Sequence, residues 1–221
     1  MADRKTYGEG CLAAHALDLI GDRWALLVVR ELMLGPKRFG LIRAGLPGIA
    51  TNMLASRLEG LEAAGILAHR TLPVPASVPV YELTAHGLGL KPLLLELCRW
   101  GVGVPGHDPR LPISPTALML SMQAMLRPAA GAFTAGFDLG AECFVAAVRD
   151  GRLDTRRDDP ARAEMRFTGH PNNMASAIYG PAPLVQVAAQ GRIGFTGDPG
   201  RGQAFVDLFR LARPLPAGED A

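Results

Sequence analysis

A chain of 221 residues, 48% of them hydrophobic, is long enough for two small domains with separate cores and too apolar to be disordered. Its formal net charge of +2 does not by itself mark a nucleic-acid partner, so the question turns on where the charges sit. Cys11, Cys98 and Cys143 are odd in number and far apart, which argues against a disulfide scaffold and a CxxC metal site, and no apolar run approaches the roughly 20 residues that span a bilayer.

The first ten residues mix Asp3, Arg4, Lys5 and Glu9 with no apolar run, so no secretory signal is expected. A cytoplasmic protein without a membrane partner is the expectation. Asp22 stands where it can cap a helix carrying Trp24, Leu27, Val28 and Leu32 at helical spacing, and Gly35-Pro36 ends that helix. A second short helix is predicted over 38–44, with Phe39, Ile42 and Leu46 on one side and Pro47-Gly48 in the turn after it. A third follows over 51–64, burying Leu54, Leu58 and Leu61 and projecting Asn52, Ser56 and Ala63 from the opposite side. Three helices joined by tight turns suit a helix-turn-helix.

Strands are predicted over 66–72 and 80–84, separated by the Pro-rich segment 73–79, and the pair has the form of a wing. A helix over 85–100 carries apolar residues on more than one face, more than a lone surface helix needs, which points to a partner subunit. Gly and Pro crowd residues 101–115, placing a linker at 105–115 between a first domain, 1–104, and a second, 116–213, with a tail at 214–221. In the second domain a helix is predicted over 116–126, and strands over 142–148 and 152–157 are joined by the hairpin signal Asp150-Gly151. A strand over 163–168, helices over 172–179 and 203–212 and a strand over 192–196 complete an α+β pattern.

No Asp or Glu occurs between Glu31 and Glu59, a window that holds Lys37, Arg38, Arg43 and Arg57. From 105 onward basic and acidic residues are equal in number, so the first domain is the expected DNA reader. On a helix-turn-helix the four cations, together with Arg70 on the first wing strand, are candidate phosphate contacts. Thr51, Asn52 and Ser56 are candidates for base edges, Asn being suited to bidentate contact with adenine, while Thr51 equally suits a helix cap. No Arg or Lys lies between Arg70 and Lys91, so the wing tip offers no cation to a phosphate.

His15, His69 and His86 are scattered without metal-ligand spacing, and neither a Gly-x-Ser-x-Gly elbow nor a Walker-type loop is present. Neither an enzyme, a metal nor a cofactor is expected. Cys11 reads either as a redox or electrophile switch or as a small buried apolar residue. Phe133, Phe137, Phe144, Met165, Phe167, Ile178 and Phe195 either line a ligand pocket or fill a core.

The ordered series Cys11, Ala16-Leu17-Asp18, Ile20-Gly21-Asp22-Arg23-Trp24, Arg30-Glu31-Leu32, Gly35-Pro36-Lys37-Arg38-Phe39, Leu46-Pro47-Gly48-Ile49, Arg57-Leu58, Leu61-Glu62-Ala63-Ala64-Gly65-Ile66 and Tyr81-Glu82-Leu83-Thr84-Ala85-His86-Gly87 resembles the HxlR-type regulators, relatives of the MarR group. The resemblance implies a homodimeric winged helix-turn-helix with the 51–64 helix in the major groove of double-stranded DNA, and it allows oxidant sensing through an N-terminal cysteine. Ala50 departs from the Ser that caps this helix in many members, and Gly40-Leu41 replaces a polar-acidic pair. The second domain is similar to the sterol-carrier-protein type of lipid-binding domain in Asp150-Gly151, Arg166-Phe167-Thr168, Tyr179-Gly180, Gly191-Arg192-Ile193 and Thr196-Gly197-Asp198, which implies a pocket for an apolar molecule. The expectation is a mainly α winged helix-turn-helix followed by an α+β sterol-carrier-like domain. Functionally it is a transcriptional regulator under an apolar effector; the alternatives are a lipid or acyl carrier dimerised by its first domain, or a sensor working through Cys11.

Overall fold

The computed structural model describes residues 6–73, 77–128, 131–209 and 211. The chain divides into two compact units, Met1–Leu94 and Leu95–Ala221. The division falls N-terminal to the Gly- and Pro-rich stretch at 105–115.

The first unit holds helices α1 (Leu12–Ile20), α2 (Ala25–Leu32), α3 (Phe39–Ala44) and α4 (Thr51–Ala63), strands β1 (Leu67–Thr71) and β2 (Pro79–Leu83), and the short helix α5 (Ala85–Leu88). Its core follows from helical spacing: Val28, Val29 and Leu32 of α2 and Leu54, Leu58 and Leu61 of α4 are buried with Ile42, Leu46 and Ile49 from the segment between them. Each such side chain contributes roughly 1.5–3 kcal/mol on burial. β1 and β2 pair antiparallel from Leu67↔Leu83 to Thr71↔Pro79. The tip of the predicted wing, 74–76, lies outside the described residues.

Three expectations change here. Asp22 does not cap α2: Trp24 occupies the N-cap position with φ of 80° and no side-chain hydrogen bond, and the Asp22 carboxylate is committed to Arg57. The helix expected over 85–100 is broken, because Gly89 closes α5 before α6 (Lys91–Val102) begins. Thr84 caps α5, its hydroxyl accepting from the Gly87 amide at 3.2 Å. α1 is a helix that the sequence pattern did not announce.

The second unit is built on a five-stranded sheet of β3 (Phe133–Asp138), β4 (Cys143–Arg149), β5 (Arg152–Arg157), β6 (Met165–Thr168) and β7 (Gly194–Thr196), in the order β5-β4-β3-β6-β7. Only β3 and β6 run parallel; the other neighbours are antiparallel. Asp150 and Gly151, both at positive φ (50° and 69°), make the predicted tight hairpin between β4 and β5. Helices α7 (Pro115–Met125), α8 (Pro171–Tyr179), α9 (Leu184–Ala189) and α10 (Pro199–Val206) accompany the sheet.

The aromatic residues on these strands are stacked into the core. Phe137 lies 5.1 Å from Phe167, centroid to centroid, and Phe167 lies 5.1 Å from Phe195 and 5.9 Å from Phe205, which meets Phe209 edge-on. Phe133, Phe144, Met165 and Ile178 are buried as well. None of the seven residues considered as a pocket lining borders the cavity described next; six of them are buried and Phe195 is half-buried. A cavity of about 860 Å³ has walls from α6, α7, α8, α9 and the 106–113 segment.

Candidate DNA-binding site

α3, the turn Leu46-Pro47-Gly48-Ile49 and α4 form the helix-turn-helix. Gly48 takes φ of 86° in that turn, a conformation that costs glycine little. With Leu54, Leu58 and Leu61 turned inward, α4 exposes Thr51, Asn52, Met53 and Ser56 in its first half and Glu59 and Glu62 in its second. The outward face therefore changes from uncharged to acidic along the helix. Glu62 Oε1 accepts the His69 amide at 3.0 Å, which anchors the acidic half to β1. The uncharged first half is the part suited to approach a polyanion.

The helix start has no side-chain cap. Ala50 is the N-cap residue and makes no such hydrogen bond, and Thr51 is the first helical residue, which corrects the expectation of a Thr51 cap. Asn52 Oδ1 accepts the Met53 amide at 2.9 Å.

The structure sorts the sequence-predicted cations into different roles. Lys37 is not a surface residue: its ammonium donates to Glu31 Oε2 at 2.8 Å, both side chains being wholly buried. Glu31 Oε1 receives Arg30 Nη2 at 2.9 Å and Nε at 3.1 Å, and Arg30 Nη2 also reaches the Gly45 carbonyl at 3.3 Å. Backbone pairing between Lys37 and Tyr81, at 3.0 and 2.8 Å, fixes the segment before α3 against the wing strand β2. A Cβ at Gly45 would run into the Glu31 carboxylate, so glycine is required where α3 ends.

Arg57 is likewise engaged, pairing with Asp22 at 2.8 Å and donating Nε to the Arg23 carbonyl at 3.0 Å. Its work is to pin α4 to the α1–α2 turn. Arg70 pairs with Glu82 across the wing. Arg38 and Arg43 are exposed and in no ion pair among the described residues, one at the start and one in the last turn of α3. Arg23 is an exposed cation that the acid-free window missed because it lies before Glu31; its guanidinium lies 5.4 Å over the Trp24 ring. In the wing, His69 and Tyr81 stack at 4.7 Å, and burial, with Glu62 and Glu59 nearby, pushes the Tyr81 phenol up.

Cys11 is exposed at the N-cap position of α1, so it is not a buried apolar residue. Hydrogen bonds from the Ala14 and Ala13 amides hold its thiol below the ordinary cysteine range. Cys143 is the opposite case, raised by burial and by Asp138.

A helix-turn-helix followed by a two-stranded wing, with an uncharged recognition-helix face and free arginines on the preceding helix, defines a DNA-binding transcriptional regulator of the winged type. The HxlR-like helix-turn-helix family model matches residues 19–107. The HTH-type transcriptional regulator sll1512 of Synechocystis is 38% identical over 95 residues, covering 42% of this chain and 70% of that protein. YkvN of Bacillus subtilis is 41% identical over 85 residues, 38% of this chain and 71% of its own. YodB of the same organism is 39% identical over 85 residues, 38% of this chain and 76% of its own. The crystal structure of reduced YodB aligns over 45% of this chain and all of that one, at 35% identity and a TM-score of 0.40. The chain belongs to the HxlR family of bacterial helix-turn-helix regulators. No helix among the described residues is long and apolar enough to cross a membrane.

Proposed function

We propose that the protein acts as a cytoplasmic homodimer that reads a two-fold-related operator, with α4 of each subunit in a major groove. The observation that carries the reading is the division of α4 into an uncharged N-terminal face and an acidic C-terminal one, which orients Thr51, Asn52 and Ser56 toward base edges. Arg38 and Arg43 serve the phosphates from α3. Dimerisation is supported by α6, which exposes Leu93, Leu97 and, at 72%, Trp100 in one stripe, and by α1, which exposes Leu12 and Leu17. In a mobility-shift titration Asn52→Ala should reduce discrimination between operator and random DNA by ~1–3 kcal/mol. The lower part of that range is expected because Asn52 Oδ1 must leave the Met53 amide to pair with adenine. Equal loss on both DNAs would restrict Asn52 to positioning.

The second unit serves in this reading as an effector module of the sterol-carrier type, supported by its mixed five-stranded sheet and the cavity beside α7 and α8. Comparing the full chain with a chain ending after residue 104 tests this, since an effector module makes operator affinity respond to an apolar compound only when it is present. A second reading, thiol-based control, is favoured by the exposed Cys11 and its lowered pKa. Diamide treatment should then change operator binding by the parent protein and not by Cys11→Ser.

A further inference from the structure

The wholly buried pair of Glu31 and Lys37 gives the first unit something that two apolar side chains of the same volume do not. The attraction between two buried charges does little more than offset their desolvation, so apolar residues hold a core at least as well. Apolar contact is non-directional, however, and leaves packed elements free to slide. A carboxylate that holds two cations, one on each oxygen, has a single favourable arrangement.

Each oxygen of Glu31 serves a different arm. Oε1 receives Arg30 Nη2 at 2.9 Å and Nε at 3.1 Å, and the same Nη2 continues to the Gly45 carbonyl at 3.3 Å. Gly45 is the C-cap of α3 and stands immediately before the turn Leu46-Pro47-Gly48-Ile49 that leads into α4. It also lies against the carboxylate, where a Cβ would collide with Oε2. On the other arm Oε2 receives the Lys37 ammonium at 2.8 Å, and the Lys37 backbone exchanges hydrogen bonds of 3.0 and 2.8 Å with Tyr81 of β2. The end of α2, the entry to α3, the exit from α3 and the wing strand β2 are therefore referred to one carboxylate.

We infer that Glu31 is a positioning residue for DNA reading, fixing the placement of α4 and β2 at which Asn52 and Ser56 meet base edges. The inference rests on the reading of α4 as the recognition helix and adds to it a residue that touches no DNA. A bidentate contact to a base edge weakens steeply when its donors and acceptors tilt out of line, whereas a charge contact to a phosphate from an exposed arginine survives a small shift. Loss of the Glu31 node therefore lowers sequence discrimination more than general affinity.

Mobility shifts with a duplex that the parent protein selects from a random-sequence pool, compared with the unselected pool, test it. Glu31→Leu combined with Lys37→Met removes both buried charges, so its urea midpoint should lie near that of the parent. Its preference for the selected duplex should nevertheless fall about tenfold, the loss of one bidentate base contact. Its salt slope on the unselected pool should not change, because Arg38 and Arg43 remain. Arg30→Gln, at a half-buried position, leaves the Lys37 pair in place and cuts the arm to Gly45; it should lower the preference several-fold. If the double variant does not regain stability, Arg30→Gln decides alone. A stable double variant, or Arg30→Gln, that prefers the selected duplex as strongly as the parent would overturn the positioning role, and so would a loss shared equally by both DNAs. A pool from which the parent selects no sequence fails earlier, at α4 as a reader, and overturns both ideas.

Discussion

Replacing Lys37 by Met separates two roles that a lysine beside a helix-turn-helix can have. In the structure its ammonium is wholly buried on Glu31 Oε2. Removing one partner of a buried ion pair costs about 3–5 kcal/mol, because the remaining charge is left in a poor dielectric. Arg30 keeps two hydrogen bonds to the other carboxylate oxygen, so the loss should sit at the lower end, about 3 kcal/mol. With a urea m value on the order of 2 kcal/mol/M, the unfolding midpoint followed by tryptophan fluorescence should fall by roughly 1.5 M. Glu31→Leu combined with Lys37→Met should recover much of that loss, since apolar replacement of both partners removes the orphaned charge. The slope of operator affinity against salt should stay unchanged in Lys37→Met, because no phosphate contact is lost. A variant that unfolds like the parent but shows a shallower salt slope would refute this reasoning and return Lys37 to the DNA surface.

Arg38→Ala and Arg43→Ala should each weaken binding to all DNA sequences and lower the salt slope by about one, whereas Arg57→Ala should lower stability and leave the slope alone, as salt-titrated mobility shifts would show. Gly136→Ala should destabilise the second unit by several kcal/mol in urea unfolding, because a Cβ at this central-strand position meets the Pro160 carbonyl. Cys11 should be alkylated by iodoacetamide faster than Cys143 near neutral pH. A lowered pKa keeps the thiolate present as pH falls, so the Cys11 rate should reach half its maximum at a lower pH than the Cys143 rate.

Much of the first unit was legible because its helices obey the 3.6-residue period and its turns carry glycine and proline. α1 escaped notice because Gly8 and Gly10 precede it and Cys11 gives its start no side-chain cap. In the second unit the central strand β3 was not anticipated: Gly136 interrupts its apolar pattern, and only the close approach of Pro160 explains why glycine stands there. Residues 105–115 read as a linker from their glycines and prolines, yet part of this segment walls a cavity, with Ile113 and Leu111 tied to Asn172 by hydrogen bonds of 3.2 and 2.7 Å. The candidate site was legible in residue type but not in role. A linear count shows that no acid lies between Glu31 and Glu59; it does not show that Glu31 itself folds back onto Lys37, or that Asp22 takes Arg57. The phenylalanines posed the converse problem, since stacked core and ligand cavity demand the same side chains and only the register of β3, β6 and β7 separates them.

The closure of the second unit bears on when it can fold. Leu126, at the end of α7, bridges to Phe209, and the Arg127 amide bonds to the Leu208 carbonyl at 2.9 Å, so the first and last parts of the unit are stitched together. β3 must also wait for β6 to supply its parallel neighbour. Such distant pairings exact a loop-closure cost before they reward it, while in the first unit β1 and β2 pair as sequence neighbours. During synthesis the first unit can therefore reach its native form while the second is still waiting for Phe209.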